Sequence, residues 1–300
     1  MNLTNYQKGF LSLLLAGLIY GSFGLLTRQL AIMFGDFTQV LVRQLIITLI
    51  AFLVLLWRGE KFWISNEKRL LVIIFGLISF VNALTFTISA NLIKVSNTVF
   101  FVNTGSLIGS LILGMLVFKE GFSIAKGLLL SLCLAGLVIF TYPIQLDASL
   151  LGILLGLAAG LTDALSNSLK KYLKNISRMV LLFNQFVVSM GFGLLILPLT
   201  QETIIKGVSA SSIIFALIFG LALLVVGNAT IYGFQNFDLN LGSIVLASEL
   251  IFSLIISAIF LGEFPTVNEI IGGILIMTAI VLINIRIDKA WFRLGKRTNS

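Results

Sequence analysis

Histidine is absent from the 300 residues. That removes every mechanism that needs imidazole: Ser-His-Asp triads, Cys-His dyads, HExxH zinc sites and haem held by His. A single cysteine, Cys133, lies in an apolar run, so neither an internal disulfide nor a thiolate cluster can form. It is expected to pack as a small apolar residue. Proline occurs only at positions 143, 198 and 265, near the ends of apolar runs. Proline-broken helices are therefore not expected, which argues against a site built from unwound half-helices. Charge is scarce too, at 11% of residues against about 25% in a soluble domain.

Apolar residues are abundant, at 58% of the chain with a mean hydropathy of +1.10. One soluble core cannot hide that much apolar surface, so the surplus faces lipid. The net charge of +8 comes from basic residues in the loops and the tail. That pattern is a membrane-topology signal, not a nucleic-acid footprint. Residues 9–27 form an uncharged run too long for a signal-peptide core and with no convincing cleavage site after it, and they are expected to be the first membrane helix.

A spanning helix needs about 20 mostly apolar residues. Ten are predicted, at 9–33, 37–57, 69–91, 96–118, 124–142, 150–172, 179–199, 211–235, 241–262 and 267–287. With the N-terminus in the cytoplasm, sixteen Lys and Arg fall inside and three outside, namely Arg28, Lys94 and Lys206. Arg43 remains within a helix. The bias places both termini in the cytoplasm.

The chain also repeats itself. A shift of 143 brings Gly9 onto Gly152, Ala16-Gly17-Leu18 onto Ala159-Gly160-Leu161, Arg28 onto Lys171 and Glu120 onto Glu263. Each half holds five predicted helices, and five is odd, so the second copy enters the membrane from the opposite side. The loop charges follow: loop 1–2 is nearly free of Lys and Arg, while its copy, loop 6–7, carries four. The expected fold is therefore an all-α membrane protein of ten transmembrane helices in two inverted five-helix repeats. The first covers 1–145 and the second 146–287, with a basic cytoplasmic tail at 288–300. Inverted repeats are the architecture of alternating-access carriers, with the site near the midplane.

Several motifs carry a family resemblance. Leu18-Ile19-Tyr20-Gly21-Ser22-Phe23 stands in the first helix, Arg43 in the second, and Lys119-Glu120 and Leu261-Gly262-Glu263 after the fourth and ninth. Gly272-Gly273-Ile274-Leu275-Ile276 stands in the last. In this order and spacing the chain resembles the EamA-type transporters of the drug/metabolite transporter superfamily over nearly its whole length. It departs from their pattern at Thr162-Asp163-Ala164, which lacks an aromatic residue, and at Ser248-Glu249-Leu250, which lacks a following proline. The resemblance implies a bacterial inner-membrane carrier that exports amino acids or related metabolites.

Charges within the hydrocarbon cost about 2.5–3.5 kcal/mol each near a helix centre and need a partner or a wet cavity. Three stand out: Arg43, Asp163 and Glu249. Asp163 shares a helix face with Ser166, Asn167 and Lys170, and Glu249 with Ser253 and Ser257. Either acid can bind a cation or carry a proton; alternatively, Asp163 locks two helices and Glu249 pairs with Arg43. Arg43 can grip a carboxylate bidentately, or snorkel to the interface, as Arg28 is expected to do. Further polar stripes run through Asn82, Asn103, Gln185, and Asn228 with Tyr232; Tyr20 stands mid-helix. Tyr20, Arg43, Asn82, Asn103, Asp163, Asn167, Asn228, Tyr232 and Glu249 are the candidate substrate-binding residues. Asp163 and Glu249 are the candidates for proton coupling. With both acids and Arg43 ionised, the sum is −1, which suits a zwitterion or a cation.

No catalytic residue, metal or cofactor is expected, and no nucleotide-binding motif is present. The expected partners are a small-molecule substrate and the lipid bilayer, not nucleic acid, with a homodimer left open. The leading expectation is a secondary transporter of a small polar, amino-acid-like metabolite. A proton-coupled exporter of organic cations is the alternative. A non-transporting membrane scaffold is disfavoured by its lack of need for intramembrane charge, and an aspartyl protease by the single intramembrane Asp.

Overall fold

The computed structural model describes residues 3–62, 64–143, 149–207, 210–261 and 264–285. The first span is made of α1 (Asn5–Tyr20) and α2 (Phe23–Ala31). α3 (Asp36–Arg58), α4 (Asn66–Leu92), α5 (Val95–Leu116) and α6 (Ile124–Thr141) complete the first half. The second half holds α7 (Leu150–Tyr172), α8 (Arg178–Ile196) and α9 (Ala210–Asn236). Its ninth span is α10 (Leu239–Leu246) plus α11 (Glu249–Leu261), and its last is α12 (Val267–Ile285). Nine of these spans are long and apolar enough to cross a membrane, and the tenth is a shorter apolar helix. Among the described residues the only extended pairing is one isolated bridge between Phe34 and Ile205.

The expected ten-span, two-repeat fold is present. The basic tail, Glu263, Trp63 and Trp291 lie outside the described residues. Two elements differ from expectation: the first and ninth spans are each interrupted, without any proline. After Tyr20, the Ser22 hydroxyl and N–H both turn onto the Ile19 carbonyl, at 2.7 and 3.0 Å. That tight turn ends α1, and Gly-Ser pairs are recurrent kink sites. In the ninth span the Ser248 N–H bonds Val245 and the Leu250 N–H bonds Ala247, each three residues back instead of four. The Ser22 hydroxyl at the first break, and tight backbone turns at both, interrupt these spans where no proline stands.

Helices pack on small residues, since lipid offers no hydrophobic drive between them. α5 lies against α7 through Gly105 and Gly160, and α6 against α12 through Gly136 and Gly272. α1 packs on α9, and α3 on α8. Cys133 is fully buried in α6, as expected of a packing residue.

Both ends of the bundle are tied across the halves. At the lysine-rich end the Glu120 carboxylate accepts from Lys171 (2.7 Å) and from the backbone N–H groups of Leu239 (2.7 Å) and Asn240 (3.2 Å). It caps α10, whose orphan N–H groups favour an anion, and not a helix in its own turn. Lys126 pairs with Asp238 at 2.9 Å beside it. At the opposite end, the Lys206 N–H bonds the Met33 carbonyl (2.8 Å) and the Phe37 N–H donates to Glu202 (2.9 Å). Burial pushes the Glu202 carboxyl above the usual range, against the backbone N–H groups of Phe37 and Thr38. A Thr266–Glu269 capping box forms at α12, with both reciprocal bonds in place.

Candidate functional site

Between the halves lies a cavity of about 140 Å³. Tyr20, Arg43, Asn82, Asn103, Asp163 and Glu249 all line it, so six of the nine candidate residues converge there. Their elements differ: α1, α3, α4, α5, α7 and α11 each contribute one. The two helix breaks have a local consequence. Tyr20 is the last residue of α1 and Glu249 the first of α11, so each interruption sets a polar side chain at the cavity wall.

Arg43 is buried, with 3% of its surface exposed. One amino group donates to the Thr87 hydroxyl and the Ala83 carbonyl. The guanidinium lies over the Phe219 ring, 4.7 Å from its centroid, a cation–π placement. It neither reaches the interface nor pairs with Glu249.

The acids are held by neutral groups. Asp163 accepts from Ser106 (2.8 Å) and Asn167 (2.8 Å), and Asn103 donates to Glu249 at 2.6 Å. Asn167 is fully buried behind the wall; its own carbonyl oxygen accepts from Lys170 at 2.9 Å. Lys170 is 5% exposed and lines the cavity as a fourth charge. It shares the Asp163 helix face in the sequence but was not among the three membrane charges counted there. With it, the sum is zero, not −1. Among the described residues, none of these four charges sits in an ion pair with another residue.

Two candidates lie off the cavity. Asn228 donates to the Leu224 carbonyl of its own helix, and Tyr232 lies under the Arg178 guanidinium at 5.1 Å. Other stripes act as glue between helices: Gln44 bonds Ser189 at 2.7 Å, Gln185 bonds Ser79 at 2.8 Å, and Ser243 bonds Ser110 at 2.6 Å. Gln44, Ser79 and Gln185 line the cavity as well, and so does Asn82 while donating to Ala159 at 2.7 Å. Arg28 bonds the Ile93 carbonyl at 3.2 Å. The cavity's apolar wall, made by Phe23, Phe86, Phe186 and Phe219, was not foreseen, because 25 phenylalanines in the chain offer no sequence signal for which ones face inward. Among the described residues no group of His, Cys, Asp and Glu is placed to hold a metal ion.

No curated protein matches the chain in sequence. A crystal structure of another protein is similar over 97% of this chain and 99% of its own, with a TM-score of 0.77 and 15% identity, which speaks for the fold alone. The EamA-like transporter family model matches twice, over residues 7–142 and 150–285. These two matches fall on the two halves that build the cavity, and the chain belongs to the EamA-like transporter family, a multi-pass membrane transporter of the drug/metabolite type.

Proposed function

We propose that this transporter is a secondary carrier for a small zwitterionic, amino-acid-like metabolite. It works by alternating access in a bacterial inner membrane, with both termini cytoplasmic and export as its direction. The observation that carries this reading is the set of four charges gathered at the cavity with no direct ion pair among them: Arg43 and Lys170, both buried, against Asp163 and Glu249, both partly buried. A buried charge is costly unless paired. A substrate that carries both signs supplies the missing partners, with Arg43 gripping a carboxylate and Glu249 receiving an ammonium. The Phe23, Phe86 and Phe219 wall suits an apolar side chain. Partners beyond substrate and lipid, including a second copy, are not needed for the cavity to form within one chain.

A second reading is favoured by one observation: both acids take hydrogen bonds from neutral donors only, so either could exchange a proton. That makes a proton-coupled exporter of organic cations. Flux into liposomes separates the two readings, using labelled zwitterions and cations with and without an imposed pH gradient. Zwitterion flux is expected, with Arg43→Gln raising its apparent KM by about ten- to a hundredfold, the loss of a charge-assisted bidentate contact. Cation flux that follows the gradient, indifferent to Arg43→Gln but abolished by Glu249→Gln, would establish the second reading instead.

A further inference from the structure

The internal shift of 143 residues maps Asp163 onto Tyr20 and Ser106 onto Glu249. The cavity thus holds two copies of one arrangement, each pairing a hydroxyl with an acid, but with the roles exchanged between the halves. In the α5–α7 copy the hydroxyl is Ser106 on α5 and the acid is Asp163 on α7. In the other copy the acid is Glu249, in the Ser106 place, and the hydroxyl is Tyr20, in the Asp163 place.

The packing shows that the correspondence is real in space. A Cβ on Gly160 would fall 2.2 Å from the Val102 carbonyl, 2.8 Å from the Gly105 Cα and 2.8 Å from the Ser106 nitrogen. Its counterpart Gly17 approaches Ser248 and the Glu249 nitrogen, the residues that the shift sets on Gly105 and Ser106. One turn on, a Cβ on Gly109 would meet Ala164, while Gly21 meets the backbone between Phe252 and Ser253, again the matching positions. The first and ninth spans therefore cross in the same register as α7 and α5.

The two copies are in different conditions. α5 and α7 run unbroken through their crossing, and Ser106 donates to Asp163 at 2.8 Å. The first and ninth spans are both broken at theirs, and Tyr20 and Glu249 share no hydrogen bond; Asn103 serves Glu249 instead.

We propose that Ser106 and Tyr20 are the residues that select the conformational state of the carrier. The Ser106–Asp163 bond holds the present state. A Tyr20–Glu249 bond holds the opposite one, and the two bonds alternate as the halves exchange shapes. This rests on the alternating-access reading above. It assigns Tyr20 a role that neither its exposure nor its ring contact with Phe23 would suggest, because its partner bond belongs to the other state.

The test uses the full-length protein carrying Cys133→Ala and a reporter Val102→Cys on the cavity wall, labelled by an impermeant thiol reagent from each face of oriented vesicles. Ser106→Ala removes the bond of the present state and is expected to move the ratio of labelling rates about tenfold away from the wild-type ratio. Tyr20→Phe removes the bond of the opposite state and is expected to move it about tenfold the other way, each the worth of one hydrogen bond to a charged group. The double variant returns close to the starting ratio. A packing role would move both variants in one direction or in neither, and either result overturns the proposal. Ser106→Thr keeps the hydroxyl and is expected to stay at the wild-type ratio, so the Ser106 bond is tested even if Tyr20→Phe does not fold. Wild-type labelling from both faces with unmoved variants overturns the exchange alone. Labelling from one face under every condition overturns the carrier reading together with it.

Discussion

Gly160 sits where α7 touches α5 backbone to backbone, with room for a hydrogen and nothing larger. Gly160→Ala pushes a methyl onto the Val102 carbonyl, which belongs to a helix backbone and cannot swing away. The expected loss is about 1–3 kcal/mol, the usual penalty of overpacking, seen as a lower melting temperature in detergent. Gly191, in α8, has nothing within 4 Å of its missing Cβ. Gly191→Ala is expected to raise stability by up to about 1 kcal/mol through helix propensity alone. The two substitutions are identical in the sequence and opposite in sign. Nothing in the local composition distinguishes them, because the answer lies in which helix faces the glycine. The same holds for Asn82 and Asn228: both sit on polar stripes, yet only Asn82 meets the cavity and the other half of the chain.

Helices were legible where the apolar period was long, and their joints were less so. Ten spans follow from length and hydropathy; the Gly21-Ser22 pair was a local signal for the first break, whereas the break before Glu249 carries no such pair. The ties at the two ends were similarly hidden: Glu120 reads as a turn acid, and its real partner α10 lies 119 residues away in sequence. Its side chain is 6% exposed and serves three donors. Glu120→Ala is therefore expected to cost about 2 kcal/mol of thermal stability. The Arg58–Glu60 pair, at 3.7 Å with side chains 49% and 30% exposed, should cost less than about 1 kcal/mol when broken. The opposite tie responds to pH. Because burial raises the Glu202 carboxyl, the docked loop binds the proton more readily than the undocked one. Docking is then strongest at low pH and weakens as pH rises from the ordinary glutamate value of about 4.3 through the raised one. Hydrogen exchange at the Lys206 amide, corrected for its intrinsic pH dependence, should show faster opening across that window. Glu202→Gln should flatten the profile.

At the scale of the whole molecule, the duplication and the charge bias of the loops announce two inverted halves, and the structure supplies the cavity between them. Its chemistry was partly legible. Arg43, Asp163 and Glu249 stand out because charge in lipid is rare, whereas Lys170 is masked by the basic loop that begins beside it. Its inclusion brings the sum of charges at the cavity to zero. Lys170→Gln makes that sum −1 and is expected to shift the preference of the carrier from zwitterions toward cations by about tenfold, a change of charge worth roughly 1.4 kcal/mol at a partly screened site. Competition between a labelled zwitterion and a labelled cation in liposomes measures it, and an unchanged ratio would remove Lys170 from the recognition scheme.

The absence of proline from the two broken spans bears on time. Each interrupted turn keeps all of its N–H donors, so the first and ninth spans can close their gaps by choosing a carbonyl four residues back instead of three. Turns of that size relax in about 0.1–1 µs, whereas packed halves swing in microseconds to milliseconds. The joints therefore never set the pace. On the proposed alternating-access cycle, turnover is then expected to depend on how quickly the ties at the two ends let go, and loosening one of them, as in Glu120→Ala, is expected to speed flux more than softening a helix would.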